Sequence, residues 1–217
     1  MSALCALPEA GQAVSPAKRR KMFEYRRRLP HFHPHAAFVF VTWRLWGSLP
    51  AQREPTQSYR SQGHAFVASD RVLDRSPTGP RWLQNAAIAD LIARTIEIGE
   101  RERRFYELAA WAVMPNHVHL LFLPKVAVRV ILRWLKGSTA RRANRLLGRT
   151  GQRFWQDESY DHWVRNGREF DRIIPYIEEN PVTAGLVASA TLWPWSSAGW
   201  QAKPPAPPPI SDLMLKM

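Results

Sequence analysis

Ala36 to Leu45 reads AAFVFVTWRL, a run rich in β-branched and aromatic residues that stops before Gly47 and Pro50, so it predicts a first strand. A polar stretch follows, with a short helix predicted near Ala65 to Leu73. Gly79 and Pro80 then introduce Trp82, Ala86, Ala89, Ile92, Ala93 and Ile96, whose spacing is that of one helical face. Tyr106 to Met114 and His117 to Leu123 predict two strands joined by the turn residues Pro115 and Asn116, a tight hairpin. Val126 to Leu147 predicts a second helix, apolar at Ile131, Leu132, Leu135, Leu146 and Leu147. The stretch FWQDESYDHWVR reads as irregular chain or a strand pair. A last helix is predicted from about Glu169 to Asn180, because the residue before Pro181 is pushed out of the α region. Strand, helix, hairpin, helix and extended chain predict an α+β domain with helices packed on an antiparallel sheet, for which ferredoxin-like is the closest common architecture.

The ends of the chain lack this periodicity. Residues 1–35 mix Pro, Ala and basic side chains, including Lys18-Arg19-Arg20-Lys21 and Arg26-Arg27-Arg28, the pattern of a solvated basic arm. From about Ala202 the sequence KPPAPPPISDLMLKM predicts a disordered tail, since its prolines oppose helix and remove sheet donors. The expected division is therefore an arm over 1–35, one domain over 36–200 and a tail over 201–217.

Charge changes the picture more than composition does. The 31 Lys and Arg against 18 Asp and Glu leave a formal charge of +13, which repels itself in a compact chain unless an anionic partner screens it. Nucleic acid or an anionic membrane surface is implied. The longest uncharged run, about Asn180 to Ala202, is broken by Asn180, Pro181, Thr183, Pro194 and Ser196 and does not read as a bilayer span. The amino terminus has no basic segment ahead of an apolar stretch, so no secretory signal is expected. With Cys5 alone, no disulfide and no thiolate metal cage is expected, and a cytoplasmic location fits.

Three groups of residues carry candidate chemistry. In Pro115-Asn116-His117-Val118-His119 the histidines lie two apart, which on a strand puts both imidazoles on one face. Such a pair suits a divalent metal with open positions for substrate; the same spacing also occurs on strands whose histidines merely sit among polar groups. On the last helix Phe170, Ile173, Ile174 and Ile177 form a core stripe, and Tyr176 and Asn180 lie four apart beside it. A phenol attacks phosphorus only with help that also quiets the phosphate's charge, and a paired-histidine metal would supply that help; a core-edge tyrosine and a helix-end cap are the plainer readings. Tyr160 competes as nucleophile, with Asp157, Glu158, Asp161 and His162 around it in sequence. The third group is basic: Arg133, Lys136, Arg141, Arg142, Arg145, Arg149 and Arg153 fall in a segment with no Asp or Glu, and Arg141, Arg145 and Arg149 recur every four residues as a ridge suited to phosphates. Phe154, Trp155 and Trp163 either stack on unpaired bases or belong to the core.

The combination AAWAVMPNHVHLLF, then LKGSTARRANRLLGRTGQRFWQDESYDHWVRN, then IPYIEENPVTAGLV and WPWSSA resembles the REP-associated tyrosine transposases, relatives of the insertion-sequence transposases that move single-stranded DNA. The resemblance runs from roughly Tyr25 to Ala198 and includes YRRRLP and FVTWRLWGSLP. It implies an HUH-type fold with the metal-binding pair at His117 and His119, the catalytic tyrosine at Tyr176 in YIEENP, and a third ligand at Asn180, where the wider group usually has Gln. It further implies Mg²⁺ or Mn²⁺ as cofactor, single-stranded or hairpin DNA as partner, a place at the nucleoid, and action as a monomer or homodimer; the basic segment and Trp155 are compatible with such DNA as its contacts. The expected reaction is cleavage and rejoining of DNA through a 5′-phosphotyrosine. No nucleotide cofactor is expected, because no Walker-type phosphate loop is present. Two rivals stay open: a domesticated hairpin-binding protein without strand transfer, and a metal-dependent nuclease in which water attacks.

Overall fold

The computed structural model describes residues 37–48 and 79–200, together with the backbone of residues 23–26 and 30–33. The helix expected near Ala65 to Leu73, most of the basic arm and the tail over 201–217 lie outside the described residues. Within the arm, β1 (Phe23–Arg26) runs antiparallel to β2 (Pro30–His33), with Phe23 opposite His33. The solvated arm expected over 1–35 thus contains a hairpin, in keeping with the extended-chain preference of its aromatic residues.

The body continues with β3 (Val39–Arg44), α1 (Ala86–Arg101), β4 (Tyr106–Val113), β5 (His117–Pro124), α2 (Val128–Leu146), β6 (Tyr160–Trp163), α3 (Gly167–Glu178), α4 (Asn180–Thr183) and α5 (Ser197–Trp200). The sheet order is β4-β5-β3-β6 and every neighbouring pair is antiparallel. The β3–α1–β4 connection steps over β5, and β5–α2–β6 steps over β3, so two βαβ units interleave. This is the ferredoxin-like arrangement of an α+β domain expected from the order of patterned segments. The segment FWQDESYDHWVR resolves into a bridge from Trp155 to Leu45 and the edge strand β6.

Side-chain alternation on the strands divides the molecule into layers. Val39, Val41 and Trp43 of β3 and Val118, Leu120 and Phe122 of β5 join the buried side chains of α1 and α2 in the larger core. Phe40 and Leu121, with Ala110 and Ala112 of β4, face the other way and receive Phe170, Ile173, Ile174 and Ile177 of α3. Helix α1 starts where the Asn85 side chain accepts a hydrogen bond from the Ala87 amide at 3.0 Å. Its Gly99 is a packing requirement: a Cβ there would land on the Tyr106 hydroxyl, which donates to the Ile96 carbonyl at 2.7 Å.

The C-terminal end of β4's free edge is covered by the WPWSS segment. The Val113 amide donates to the Trp195 carbonyl at 2.8 Å and the Trp193 indole to the Val113 carbonyl at 3.1 Å. The Trp195 indole reaches Asp90 on α1 at 2.8 Å. Covering an edge in this way removes a row of unpaired backbone groups from contact with other chains. Among the described residues no helix is long and apolar enough to cross a membrane.

Candidate functional site

The hairpin that joins β4 to β5 closes when the Met114 amide donates to the His117 carbonyl at 2.9 Å. Strand β5 therefore opens on His117, and alternation turns His117 and His119 away from the large core toward the α3 side. Both side chains are fully buried. Their Nε2 atoms approach to 2.9 Å, with the rings crossing at 77°. Each outer nitrogen has its own partner: Nδ1 of His117 lies 2.7 Å from Asn116 Oδ1, and Nδ1 of His119 lies 2.8 Å from Thr42 Oγ1.

The donor set fits a divalent cation. Two ligands side by side around an ion with metal–nitrogen bonds near 2.1 Å sit about 3 Å apart, which is the separation of these two Nε2 atoms. Metal-binding imidazoles are oriented by a hydrogen bond at the outer nitrogen, and here Asn116 Oδ1 and Thr42 Oγ1 stand at those positions. Among the described residues no group of three or more His, Cys, Asp and Glu is arranged to hold a metal, so a third protein donor would have to be of another type.

Helix α3 faces this pair, and its entry is tightly set. Asn166 caps it by accepting from the Glu169 amide at 3.0 Å. Glu169 in turn accepts from the Arg165 amide at 2.8 Å and lies 2.9 Å from His162 Nε2 on β6. Partial burial pushes the Glu169 carboxyl up, but the Arg165 amide, His162 and the Arg165 charge together hold it below its usual value. The small residues Ala110 and Ala112 let the stripe of α3 settle on the sheet, which brings the half-buried Tyr176 ring to 5.9 Å from the His119 ring. Phe40 is the hub: it stacks on His119 at 5.8 Å and meets Tyr176 edge-on at 6.2 Å.

The end of α3 differs from the expected single helix. It stops at Glu178, and Asn180 opens the separate short helix α4. Proline is tolerated in a first helical turn, where no amide hydrogen is required, so Pro181 begins a helix instead of ending one. Asn180 is buried at this junction.

Tyr160 lies in the same row of the sheet as His119, because Thr42 pairs with His119 on one side and with Tyr160 on the other. Burial, then the charges of Asp161 and Glu169, push its phenol up to about 12, so it holds its proton at neutral pH.

The basic segment is not beside this site. Helix α2 packs in the layer opposite α3, with Arg133, Arg141, Arg142 and Arg145 exposed. Lys136 is turned back to the Asp157 carbonyl at 2.9 Å and Ser159 at 3.0 Å. Arg149 does not extend the ridge, because the helix ends at Leu146 and Gly148 turns the chain with a φ of +65°; its guanidinium lies 3.7 Å over the Trp82 ring. Arg153 is exposed and stacks on Trp46 at 4.3 Å. Of the two readings given above for Trp155, base stacking or core, the structure has the second: its indole donates to Thr139 at 2.9 Å, and Phe154 is buried with it. Stacking on a base would require both to leave the core. Trp163 is partly exposed on β6.

Four residues of the site escape reading from sequence: Phe40, Thr42, Asn116 as a histidine partner, and Arg44, which lies directly across from His117 in the sheet. The first, second and fourth owe their place to strand register. Only Asn116 had a local signal, its position immediately before the first histidine.

The resemblance read from the sequence is borne out. Residues 84–180 match the family described as "Transposase IS200 like", a span that contains both histidines, Tyr176 and Asn180. The chain is 30% identical over 99 residues to the REP-associated tyrosine transposase of Escherichia coli (strain K12), an alignment spanning 45% of this chain and 57% of that protein. The matched region thus falls short of two thirds of that relative's length. The solved structure of a REP-associated tyrosine transposase bound to a REP hairpin is similar at 23% identity and a TM-score of 0.47, covering 83% of this chain and 86% of that one.

Proposed function

We propose that this chain is a DNA transposase that cuts and rejoins single-stranded or hairpin DNA, with Tyr176 as nucleophile and His117, His119 and Asn180 as donors to Mg²⁺ or Mn²⁺. The observation that carries the reading is the convergence of the two Nε2 atoms beside the Tyr176 ring, on one face of the sheet. The cation, when bound, would polarise the scissile phosphate and stabilise the charge that develops on it.

The reaction is a transesterification. The Tyr176 phenol oxygen bonds to phosphorus, the bond from phosphorus to the 3′-oxygen breaks, and a 5′-phosphotyrosine remains. The phenol's proton passes to solvent and the departing 3′-oxygen takes one up. A 3′-hydroxyl then reverses the step on the same or another strand end, so no external energy source is needed. Packing of Ile173, Ile174 and Ile177 fixes the helix that presents Tyr176, and Phe40 restrains its ring from one side. Burial and the charges of Asp161 and Glu169 raise the Tyr160 phenol, which opposes its ionisation for attack.

The catalytic unit is taken as residues 36–200, flanked by the basic arm and the Pro-rich tail, and its work on DNA places it in the cytoplasm at the nucleoid, as a monomer or homodimer. The chain's charge of +13 favours an anionic partner, and the exposed arginines of α2 supply phosphate contacts on the far layer. The test is incubation of labelled hairpin DNA from the gene's own flanks with Mn²⁺, then denaturing electrophoresis. A protein-linked label that disappears in Tyr176→Phe supports the reading. Binding without any adduct points to the hairpin-binding rival, and cleavage that survives Tyr176→Phe points to water as nucleophile.

A further inference from the structure

Two tryptophans outside the histidine site each carry an arginine on their ring. The Arg153 guanidinium lies 4.3 Å over Trp46, and that of Arg149 lies 3.7 Å over Trp82. Both pairs are built on Phe154: the Trp46 amide donates to its carbonyl at 2.8 Å, and the Trp82 ring stacks on its buried ring at 5.6 Å and 26°. The loop that supplies the arginines is fixed as well. The Arg149 amide donates to the Asn144 carbonyl at 2.7 Å, and the Asn144 side chain donates to the Gln152 carbonyl at 2.6 Å.

This surface is aromatic, cationic and open. Trp46 keeps 39% of its surface exposed, and Arg153 is exposed beside it. Elsewhere basic side chains meet carboxylates, as Arg101 does at Glu97 and Lys125 at Glu107. Among the described residues neither Arg149 nor Arg153 has such a partner, and Arg149 Nε is buried without a hydrogen bond, so the rings hold these guanidinium groups and their charge stays uncompensated. The surface also adjoins the histidines. The Leu45 amide, next to Trp46, donates to the Asn116 carbonyl at 2.8 Å, and the Leu83 amide, next to Trp82, donates to the Pro115 carbonyl at 3.2 Å. Both tryptophans are therefore tied to the turn that precedes His117.

We propose that Trp46, Trp82, Arg149 and Arg153 form a docking platform for unpaired nucleotides next to the cleavage site. Bases stack on the indole and guanidinium planes, and the two arginines neutralise the adjoining phosphates. The outward-facing aromatics of this region are thus Trp46 and Trp82, while Phe154 and Trp155 support them from the core. The proposal rests on the reading of the chain as acting on single-stranded or hairpin DNA, and it adds a place for the strand that leaves the paired stem.

The test measures binding, with full-length protein and no divalent cation, by fluorescence anisotropy. The probes are a blunt DNA hairpin and the same hairpin with an unpaired thymidine extension at its 5′ or its 3′ end. Wild type is expected to bind at least one extended hairpin more tightly than the blunt one. Trp46→Ala is expected to erase that gain, about 5–150-fold for each base that stacks, with affinity for the blunt hairpin and the thermal midpoint close to wild type. Trp46→Phe keeps a ring and should retain part of the gain, whereas Arg153→Lys keeps the charge without the plane and should lose part of it. Equal binding of blunt and extended hairpins by wild type, or a full gain in Trp46→Ala, overturns the proposal. So does an equal loss for all three probes with a falling thermal midpoint, which would make the stacks supports of the loop alone. A wild type that shows the gain, loses it in Trp46→Ala and forms no adduct with Mn²⁺ supports the platform and removes only the nucleophile reading; one that binds none of the probes removes both.

Discussion

The two faces of the sheet are built on opposite principles. Toward α1 and α2 the strands present Val39, Val41, Trp43, Val118, Leu120 and Phe122, large apolar groups with no chemistry to offer. Toward α3 they present Ala110 and Ala112, a single large hub in Phe40, and two buried imidazoles. One face holds the fold together and leaves the other free to bury polar groups that a self-sufficient core would exclude. Burying His117 and His119 is tolerable only because every ring nitrogen has a partner, which is why Thr42 and Asn116 belong to the site as much as the histidines do.

If that division is right, substitutions on the two faces should separate binding from stability. The largest effect is expected from His117→Ala, which removes one of the two convergent nitrogens. Because partners of metal ligands alone are worth 10–100-fold, Mn²⁺ affinity should fall to roughly a hundredth or less, measured by calorimetry, with a far smaller change in thermal midpoint. Ile92→Ala on the opposite face should do the reverse. It empties a fully buried site, so urea denaturation should show a loss of about 2–5 kcal/mol, with Mn²⁺ affinity of the remaining folded protein unchanged.

How much of this was legible in the sequence follows the same line. The hairpin, the histidine pair on one face of β5 and the core stripe of α3 are local patterns, set by alternation, turn residues and helical spacing, and each appears where it was expected. What the sequence did not disclose depends on register and layer. Thr42 and Arg44 lie opposite His119 and His117 only because β3 pairs antiparallel with β5 in one particular alignment. The basic ridge was read from helical spacing, and nothing in that spacing says which face of the sheet α2 covers; it packs in the layer opposite α3. Trp155, read as either a base-stacking or a core residue, is buried, because sequence alone does not say which layer an aromatic residue in a polar stretch will join. The break after Glu178 was missed because Pro181 was read as a terminator when it opens a new helix.

Smaller effects would sharpen the comparison at the hinge between the layers. Glu169 ties the start of α3 to β6, and its carboxyl ionises below the usual glutamate value of about 4.3. A depressed folded value means that the stabilisation is present above the unfolded value and is lost as pH falls through the folded one. Glu169→Gln should therefore lower stability by about 1–2 kcal/mol near pH 6, and the gap from wild type should close in acid, followed by denaturant titration across pH. The smallest effect is expected on the far layer. Arg141→Ala with Arg145→Ala should leave Mn²⁺ binding intact and, if DNA reaches this helix, flatten the salt dependence of single-strand binding by about 0.7 in logarithmic slope for each charge removed.

The central claim, that Tyr176 is the nucleophile on the histidine face, is tested most directly by mapping the adduct. Protein reacted with hairpin DNA and Mn²⁺ would be digested with nuclease and protease, and the peptide carrying the residual nucleotide identified by mass spectrometry. The account predicts the nucleotide on Tyr176, through its phenol oxygen. Attachment at Tyr160, which shares the sheet face, would contradict it.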